Sequence, residues 1–180
     1  MKLKTFTMIV LALLLKSMLV VVIQSVAPQQ TGQTNLIVLE FDFPSLSVIG
    51  GPVYDSVRMQ GLPRHGAPGE PILPFKTTKI LIPQSKDVQS VDVTASDRKV
   101  LRGKFNVEYG KTPIPFSSNI TVDDQFDQAI YGSANPFPGV LFSQKSGYHF
   151  RGYKILTLKL HPVQYIPKTG ELFNFETARI

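Results

Sequence analysis

The segment VQYIPKTGELFNF, residues 163–175, decides the fold class because it has the pattern of a β-hairpin. Two short apolar runs, Val163–Ile166 and Leu172–Phe175, flank the connection Pro167–Glu171. Within that connection Gly170 suits a position that needs a left-handed backbone. Hairpins of this kind join neighbouring antiparallel strands. The segment therefore predicts antiparallel β-structure towards the end of the chain.

Alternation of apolar and polar residues extends this prediction to the preceding chain. Lys99–Tyr109 gives the clearest case, with Leu101, Phe105 and Val107 on one face and mainly charged residues on the other. The only helical candidate is Asp123–Tyr131, of one or two turns at most. We predict an all-β fold, an antiparallel β-sandwich or barrel-like domain. Further runs of strand character are Leu36–Phe41, Lys79–Ile82 (ended by Pro83), Val91–Ala95 and Ile155–Pro162.

The first 27 residues form a separate segment with the pattern of an export signal. Lys2 and Lys4 precede an apolar run, Phe6–Ile23, and Ser25–Ala27 supplies small residues for a signal peptidase. We interpret residues 1–27 as a cleaved signal peptide. The alternative is an uncleaved helical anchor that reaches the membrane through residues 1–23. Either interpretation places the rest of the chain outside the cytoplasm, secreted or at the cell surface.

The remaining chain divides into a short linker, residues 28–35, and one β domain, residues 36–180. Leu172–Ile180 stays apolar or alternating up to the last residue, without a polar tail. We therefore expect the domain to be truncated at its C-terminus and to form the front of a longer precursor.

Composition excludes several classes of function. The chain has no Cys, which removes disulfides, thiolate metal sites and a cysteine nucleophile. The net charge of +6 falls to +3 once the first 27 residues are set aside, since they hold three Lys and no acid. The remaining basic residues are scattered, so we predict no nucleic-acid partner.

Residue types that carry chemistry do not assemble into a catalytic motif. His65 lies in a Pro/Gly loop, and His149 and His161 lie on strand patterns, at no metal-ligand spacing. The chain has no GxSxG motif, P-loop or dinucleotide fingerprint. We predict no catalytic residue, no metal and no cofactor.

Three smaller patterns have competing interpretations. Asp123, Asp124 and Asp127 indicate a solvated acidic turn, with a calcium site as the alternative. Asn119 begins an Asn-Ile-Thr sequon in a predicted loop, so we mark it as a candidate glycosylation site. The aromatic residues of the third pattern are interpreted as sandwich core and cross-strand pairs, with a carbohydrate or peptide platform as the alternative: Tyr148, Phe150 and Tyr153.

The order of several loop segments resembles the propeptide domain at the N-terminus of gingipain-type cysteine peptidases. The resemblance covers roughly residues 36–180, and its most specific parts are PGEPILP at 68–74 and PVQYIPKTGEL at 162–172. Either part alone would be weak, whereas both in this order and spacing are fairly specific. The positions that carry the resemblance are Pro68, Gly69, Glu70, Pro71, Pro74, Pro83, Pro138, Gly152, Tyr153, Pro162, Tyr165 and Gly170.

The resemblance implies a non-catalytic prodomain that keeps a secreted cysteine endopeptidase latent and assists its folding. The implied partner is the cognate peptidase domain, either downstream in the same precursor or separate. Because gingipain-type enzymes cut after basic residues, an exposed basic residue in a loop would act as a pseudo-substrate. The candidates are Arg64, Arg98, Lys99, Arg102 and Lys145. The alternative function is a stand-alone extracellular binding or adhesion module on the same scaffold.

Overall fold

The computed structural model describes residues 36–117 and 120–180, with the backbone alone for residues 144–146. Residues 37–180 form one compact unit. The predicted signal peptide or anchor, the linker and Asn119 lie outside the described residues. In the described part of the chain no helix is both long and apolar enough to cross a membrane.

The described chain consists of antiparallel strands and one helical turn, which confirms the all-β prediction. The elements in chain order are β1 (Glu40–Asp42), β2 (Leu46–Ile49), β3 (Ser56–Met59), β4 (Arg64–His65), β5 (Leu73–Pro74), β6 (Lys76–Ile82), β7 (Thr94–Val100), α1 (Gln128–Tyr131), β8 (Phe142–Phe150), β9 (Tyr153–Leu160), β10 (Val163–Ile166) and β11 (Glu171–Arg179).

Strand β11 is the central strand of the larger sheet. It pairs with β10 through its first half, with β1 through its last residues, and with β7 along its other edge. The β10–β11 hairpin is the one that the sequence predicts, and Gly170 takes φ +71 in its turn. The second sheet has three strands in the order β6-β9-β8. Two small pairs, β2 with β3 and β4 with β5, complete the described sheets.

The two larger sheets share a core, as in a β-sandwich. Leu160 of β9 packs with Tyr165 and Leu172 of the larger sheet in the main cluster of buried side chains. Leu156 and Leu158 form a smaller cluster beneath the three-stranded sheet. Phe142 and Ile180 pack against both clusters, and other members of the main cluster are Val57, Met59, Leu73, Val107 and Val163.

The predicted strand Lys99–Tyr109 is wrong beyond Val100. The chain leaves the sheet there and turns through Gly103, whose φ is +130. Phe105 then donates its backbone N–H to Gly170, and Val107 bridges to Asp55. Val107 is fully buried, so the apolar face exists without a continuous strand. Alternation reports which side chains face the core, but it does not say which partner supplies the hydrogen bonds.

Several other predicted elements have different bounds in the structure. The strand predicted at Val91–Ala95 begins only at Thr94, and the run Leu36–Phe41 becomes β1 from Glu40. His65 lies in the two-residue strand β4 rather than in a loop. The helical candidate is confirmed as the single turn α1, whose first N–H groups are capped by Asp127.

The prediction that Tyr148, Phe150 and Tyr153 belong to the core is wrong. Their exposed fractions are 37%, 55% and 52%. The predicted cross-strand pairing does occur, since Phe150 faces Tyr153 across the β8–β9 turn. A bulge in β8 places Tyr148 and Phe150 outside the core, and Tyr153 of β9 lies opposite Phe150.

Candidate functional site

The PGEP segment holds the beginning of a long loop. Pro68 bridges to Gly110 and Pro71 bridges to Tyr109. Gly69 donates its N–H to the Gly110 carbonyl at 2.9 Å, and Gly110 donates its own N–H to the Glu70 carbonyl at 2.9 Å. Both backbone polar groups of residue 110 are therefore hydrogen-bonded, which fixes the backbone at this position.

The same segment also holds the end of that loop. Asp127 donates its N–H to the Gly69 carbonyl at 3.0 Å. Gly69 has φ +84, and a Cβ at this position would lie 3.1 Å from the Asp127 nitrogen and 3.3 Å from the Gln125 carbonyl oxygen. A side chain at this position would push against the backbone of residues 125–127 and would strain the positive φ, so glycine suits this close approach. Pro68–Pro71 thus clamps both ends of residues 111–126, which we call the clamped loop.

Asp124 ties the two limbs of the clamped loop together. Its carboxylate accepts the Thr112 N–H at 3.0 Å, and its carbonyl accepts the Tyr109 hydroxyl at 3.0 Å. The hydrogen bonds from Thr112 hold the pKa of the Asp124 carboxyl below its usual range. The other two carboxylates of the predicted acidic turn have separate local partners: Asp123 accepts from Gln125, and Asp127 caps α1.

The clamped loop exposes apolar side chains. Phe116 is fully exposed, and the exposed fractions of Ile114 and Ile120 are 41% and 66%. From Thr112 to Phe126 the sequence contains neither Arg nor Lys. The described residues of this long connection belong to no strand or helix, and a long connection that ends on a fixed base is typical of a functional loop.

An aromatic cluster supports the base of the clamped loop. Tyr109, Phe126 and Tyr131 contact one another, and Tyr131 also contacts Tyr165, with ring centroids 5.1–6.4 Å apart. The Tyr131 hydroxyl donates to the Val107 carbonyl at 2.7 Å, and the Tyr165 hydroxyl donates to the Phe105 carbonyl at 2.9 Å. Burial raises the pKa of both hydroxyls, so these tyrosines stay neutral and structural.

A groove of about 800 Å³ runs beside this cluster. Its walls come from the chain after β7, from α1 and from the β10–β11 turn, and include Phe105, Phe126, Tyr131 and Lys168. Apolar rings and charged groups line it together. The groove lies against the clamped loop, since Phe126 belongs to both.

The positions that carry the family resemblance are mainly structural. Pro68–Pro71, Tyr165 and Gly170 surround the base of the clamped loop and the groove. Gln164 accepts the Gly139 N–H at 2.9 Å, which secures the chain just after Pro138. The remaining positions lie elsewhere: Pro74 and Pro162 are buried, Pro83 follows β6, and Gly152 and Tyr153 lie at the β8–β9 turn.

The basic residues proposed from the sequence are not brought together. Arg64 pairs with Glu108, and Lys99 pairs with Glu176. Arg98 pairs with Glu171 at 3.1 Å, and its guanidinium lies 3.9 Å from the centre of the Phe173 ring. Arg102 lies exposed in the bend after β7 and contacts no acid within the described chain. Lys145 occupies the irregular step of β8, where only the backbone is described.

The histidines remain separate from one another. His161 lies within hydrogen-bonding distance of the Ser143 hydroxyl, 3.1 Å, and burial lowers the pKa of its ring to about 4. His65 contacts the Phe75 ring. Among the residues that the structure describes, no three His, Asp or Glu side chains lie close enough together to hold a metal ion.

No alternation and no catalytic motif in the sequence marks the clamped loop as a functional segment. One signal could have indicated it. Pro113 and Pro115 interrupt a long segment that nevertheless keeps large apolar residues such as Phe116.

Comparison with known proteins identifies the chain's family. A family model described as Propeptide_C25 matches residues 18–180. The chain belongs to the Propeptide_C25 family. The resemblance to gingipain-type propeptides is thereby confirmed, and so is the prediction that the chain is a non-catalytic region from which the catalytic domain is absent. No curated protein matches the sequence.

Two solved structures share the fold of this Propeptide_C25 chain. A chain from the complex of Porphyromonas gingivalis RgpB pro- and mature domains matches with a TM-score of 0.62 and 18% identity, over 79% of this chain and 76% of that one. A structure addressing the zymogenic latency of gingipain K from the same organism matches with a TM-score of 0.60 and 18% identity, over 81% and 87%.

Proposed function

We propose that this chain keeps a secreted gingipain-type cysteine endopeptidase latent as a zymogen and assists its folding. The observation that carries the proposal is the Propeptide_C25 match, which extends over residues 18–180. The fold shared with a chain from a complex of pro- and mature domains supports it. The partner is the cognate peptidase domain, in the same precursor or separate, and both act outside the cytoplasm.

The clamped loop supports a specific mode of latency. A segment that an inhibitory domain presents to its partner binds at a lower entropic cost when the segment is already fixed. The hydrogen bonds from Gly69 to Gly110 and Asp127 fix both ends of the loop before it meets a partner. The exposed Phe116 and Ile114 then provide apolar anchors.

Arg102 is the pseudo-substrate that the contacts favour among the predicted basic residues. Arg64 and Arg98 would have to leave Glu108 and Glu171 before entering a substrate pocket. Arg102 lies in an exposed bend and would give up no ion pair with the described residues. Lys145 remains a second candidate on the opposite sheet.

An inhibition titration tests the proposal. The full chain is titrated against the mature catalytic domains of gingipain RgpB and gingipain K, and the rate of peptide hydrolysis is measured. We expect slowing that saturates with chain concentration, and an Arg102→Ala variant that inhibits roughly tenfold or more weakly.

Lys86→Ala is the matched control, since Lys86 is another exposed basic residue in a loop. This control should inhibit like the wild-type chain. Unchanged hydrolysis at every chain concentration would contradict latency. Full inhibition by Arg102→Ala would leave latency intact and remove Arg102 as the pseudo-substrate.

A further inference from the structure

The outer face of the three-stranded sheet carries a patch of exposed apolar side chains. Tyr148 faces Ile155 across β8 and β9, and Phe150 faces Tyr153 next to the turn. Leu81 of β6 also faces Ile155, so it lies on the same side. The neighbouring residues Leu156 and Leu158 point the other way, into the core. We call Leu81, Tyr148, Phe150 and Tyr153 the aromatic patch.

A bulge in β8 directs the rings of Tyr148 and Phe150 outward, to the side where Tyr153 of β9 lies. Gln144 pairs with Leu158 and Ser146 pairs with Thr157, so Lys145 is an extra residue in the ladder. Without an extra residue, Tyr148 would share the core-facing side of Phe142, because side chains alternate along a strand. Bulges that redirect side chains are features that proteins use deliberately.

The side chains of the aromatic patch form one contiguous exposed surface, which isolated apolar residues do not. The exposed fractions of Leu81, Phe150 and Tyr153 are 57%, 55% and 52%. Arg151 and Gly152 form the turn with φ values of +49 and +81, and the Arg151 guanidinium lies 5.4 Å from the centre of the Phe150 ring. A contiguous apolar surface that contains Tyr and Phe, with Arg beside it, is typical of the centre of a protein interface.

Charge specifies the partner of this face. On the side of β6 and β9 that carries the patch the charged residues are Lys79 and Lys159, and β6, β8 and β9 contain neither Asp nor Glu. Lys76 and Lys154 lie on the opposite side, where Lys154 pairs with Asp87. The larger sheet differs, because its Arg98, Lys99 and Arg179 all lie near glutamates of the same sheet. A second copy of this face, with Lys79, Lys159 and Arg151, would be repelled, whereas an acidic surface would be attracted.

We propose that the aromatic patch is a second docking surface, which binds an apolar area edged by Asp and Glu on the peptidase domain. This inference rests on the proposed prodomain function and adds to it a contact outside the clamped loop. Phe150 and Tyr153 supply the buried anchors, and Arg151 and Lys79 supply the charges at the edge. The contact raises the affinity and orientates the prodomain without occupying the substrate cleft.

The test measures binding of the full chain to mature RgpB and gingipain K domains whose catalytic Cys is replaced by Ala, using calorimetry at low salt. The Phe150→Ser/Tyr153→Ser variant should bind at least tenfold more weakly than the wild-type chain. The matched control, Val53→Ser/Val100→Ser, removes two similarly exposed apolar side chains elsewhere and should bind like the wild type.

A second variant tests the charge. Arg151→Glu keeps the same turn backbone, and should weaken binding and reduce its dependence on salt. Circular dichroism should show a native fold for each variant, since the substituted side chains are exposed.

The outcomes separate the two proposals. If the chain binds and inhibits while the patch variants bind like the wild type, the aromatic patch is not a docking surface and the prodomain function stands. If the wild-type chain neither binds nor inhibits, both are overturned. If the variants abolish a dimer seen by ultracentrifugation but leave peptidase binding unchanged, the patch serves self-association and the inference is wrong.

Discussion

At the scale of single residues, Gly69 joins the two ends of the clamped loop. Its N–H and carbonyl bind Gly110 and Asp127, and its positive φ is a conformation that other residues rarely adopt. A methyl group there would press on the backbone of residues 125–127.

We predict that Gly69→Ala lowers the free energy of unfolding by about 2–3 kcal/mol, because it adds a steric contact to the strain of φ +84. Urea denaturation measures the change. Gly61→Ala is the control, since Gly61 has φ +74 and open space around its Cβ position. It should lose only about 1 kcal/mol. Equal losses in the two variants would show that the close approach to Asp127 is unimportant.

At the scale of elements, local patterns predict the hairpin but not the chain that crosses between sheets. The strands β10 and β11 are neighbours in sequence, and Gly170 marks their turn. Residues 101–110 instead find their partners at Asp55, Pro68 and Gly170, which lie far away in the sequence. Alternation identified the buried Val107 but could not identify those partners.

The side of the sheet on which the aromatic patch lies could not be predicted from the sequence either. The alternating positions of Phe142 and Tyr148 predict one common face, and one extra residue at Lys145 separates them. A bulge leaves no signal in the hydrophobic pattern, so the side that each ring faces could not be read from the sequence.

Deletion experiments in β8 and β9 test the bulge. Removing Lys145 should leave both halves of the ladder paired as before, since the deletion closes the irregular step between Gln144 and Ser146. Its stability should change by about 1 kcal/mol or less. Removing Thr157 from β9, which pairs with β6 without a bulge, should cost far more, because it shifts Leu156 or Leu158 off the core face. Thermal unfolding compares the two. Equal destabilisation by both deletions would contradict the register.

At the scale of the whole molecule, the two larger sheets differ in how their charges are used. The larger sheet pairs Arg98 with Glu171 and Lys99 with Glu176, so its charges are largely satisfied internally. The strands of the three-stranded sheet contain neither Asp nor Glu, and the sheet leaves Phe150 and Tyr153 exposed. The clamped loop adds exposed apolar residues on a fixed base. These features suit a scaffold that meets its partner through a loop and one sheet face.

The most direct measurement is amide hydrogen exchange of the full chain, alone and bound to a mature gingipain domain without its catalytic Cys. We predict slower exchange in the clamped loop, residues 111–126, in the bend that holds Arg102, residues 101–104, and around the β8–β9 turn, residues 147–153. We expect little change in β7 and β11, whose hydrogen bonds are already protected within the larger sheet. Exchange that stays unchanged in residues 111–126, or slows only in β7 and β11, would show that the clamped loop is not presented to the peptidase.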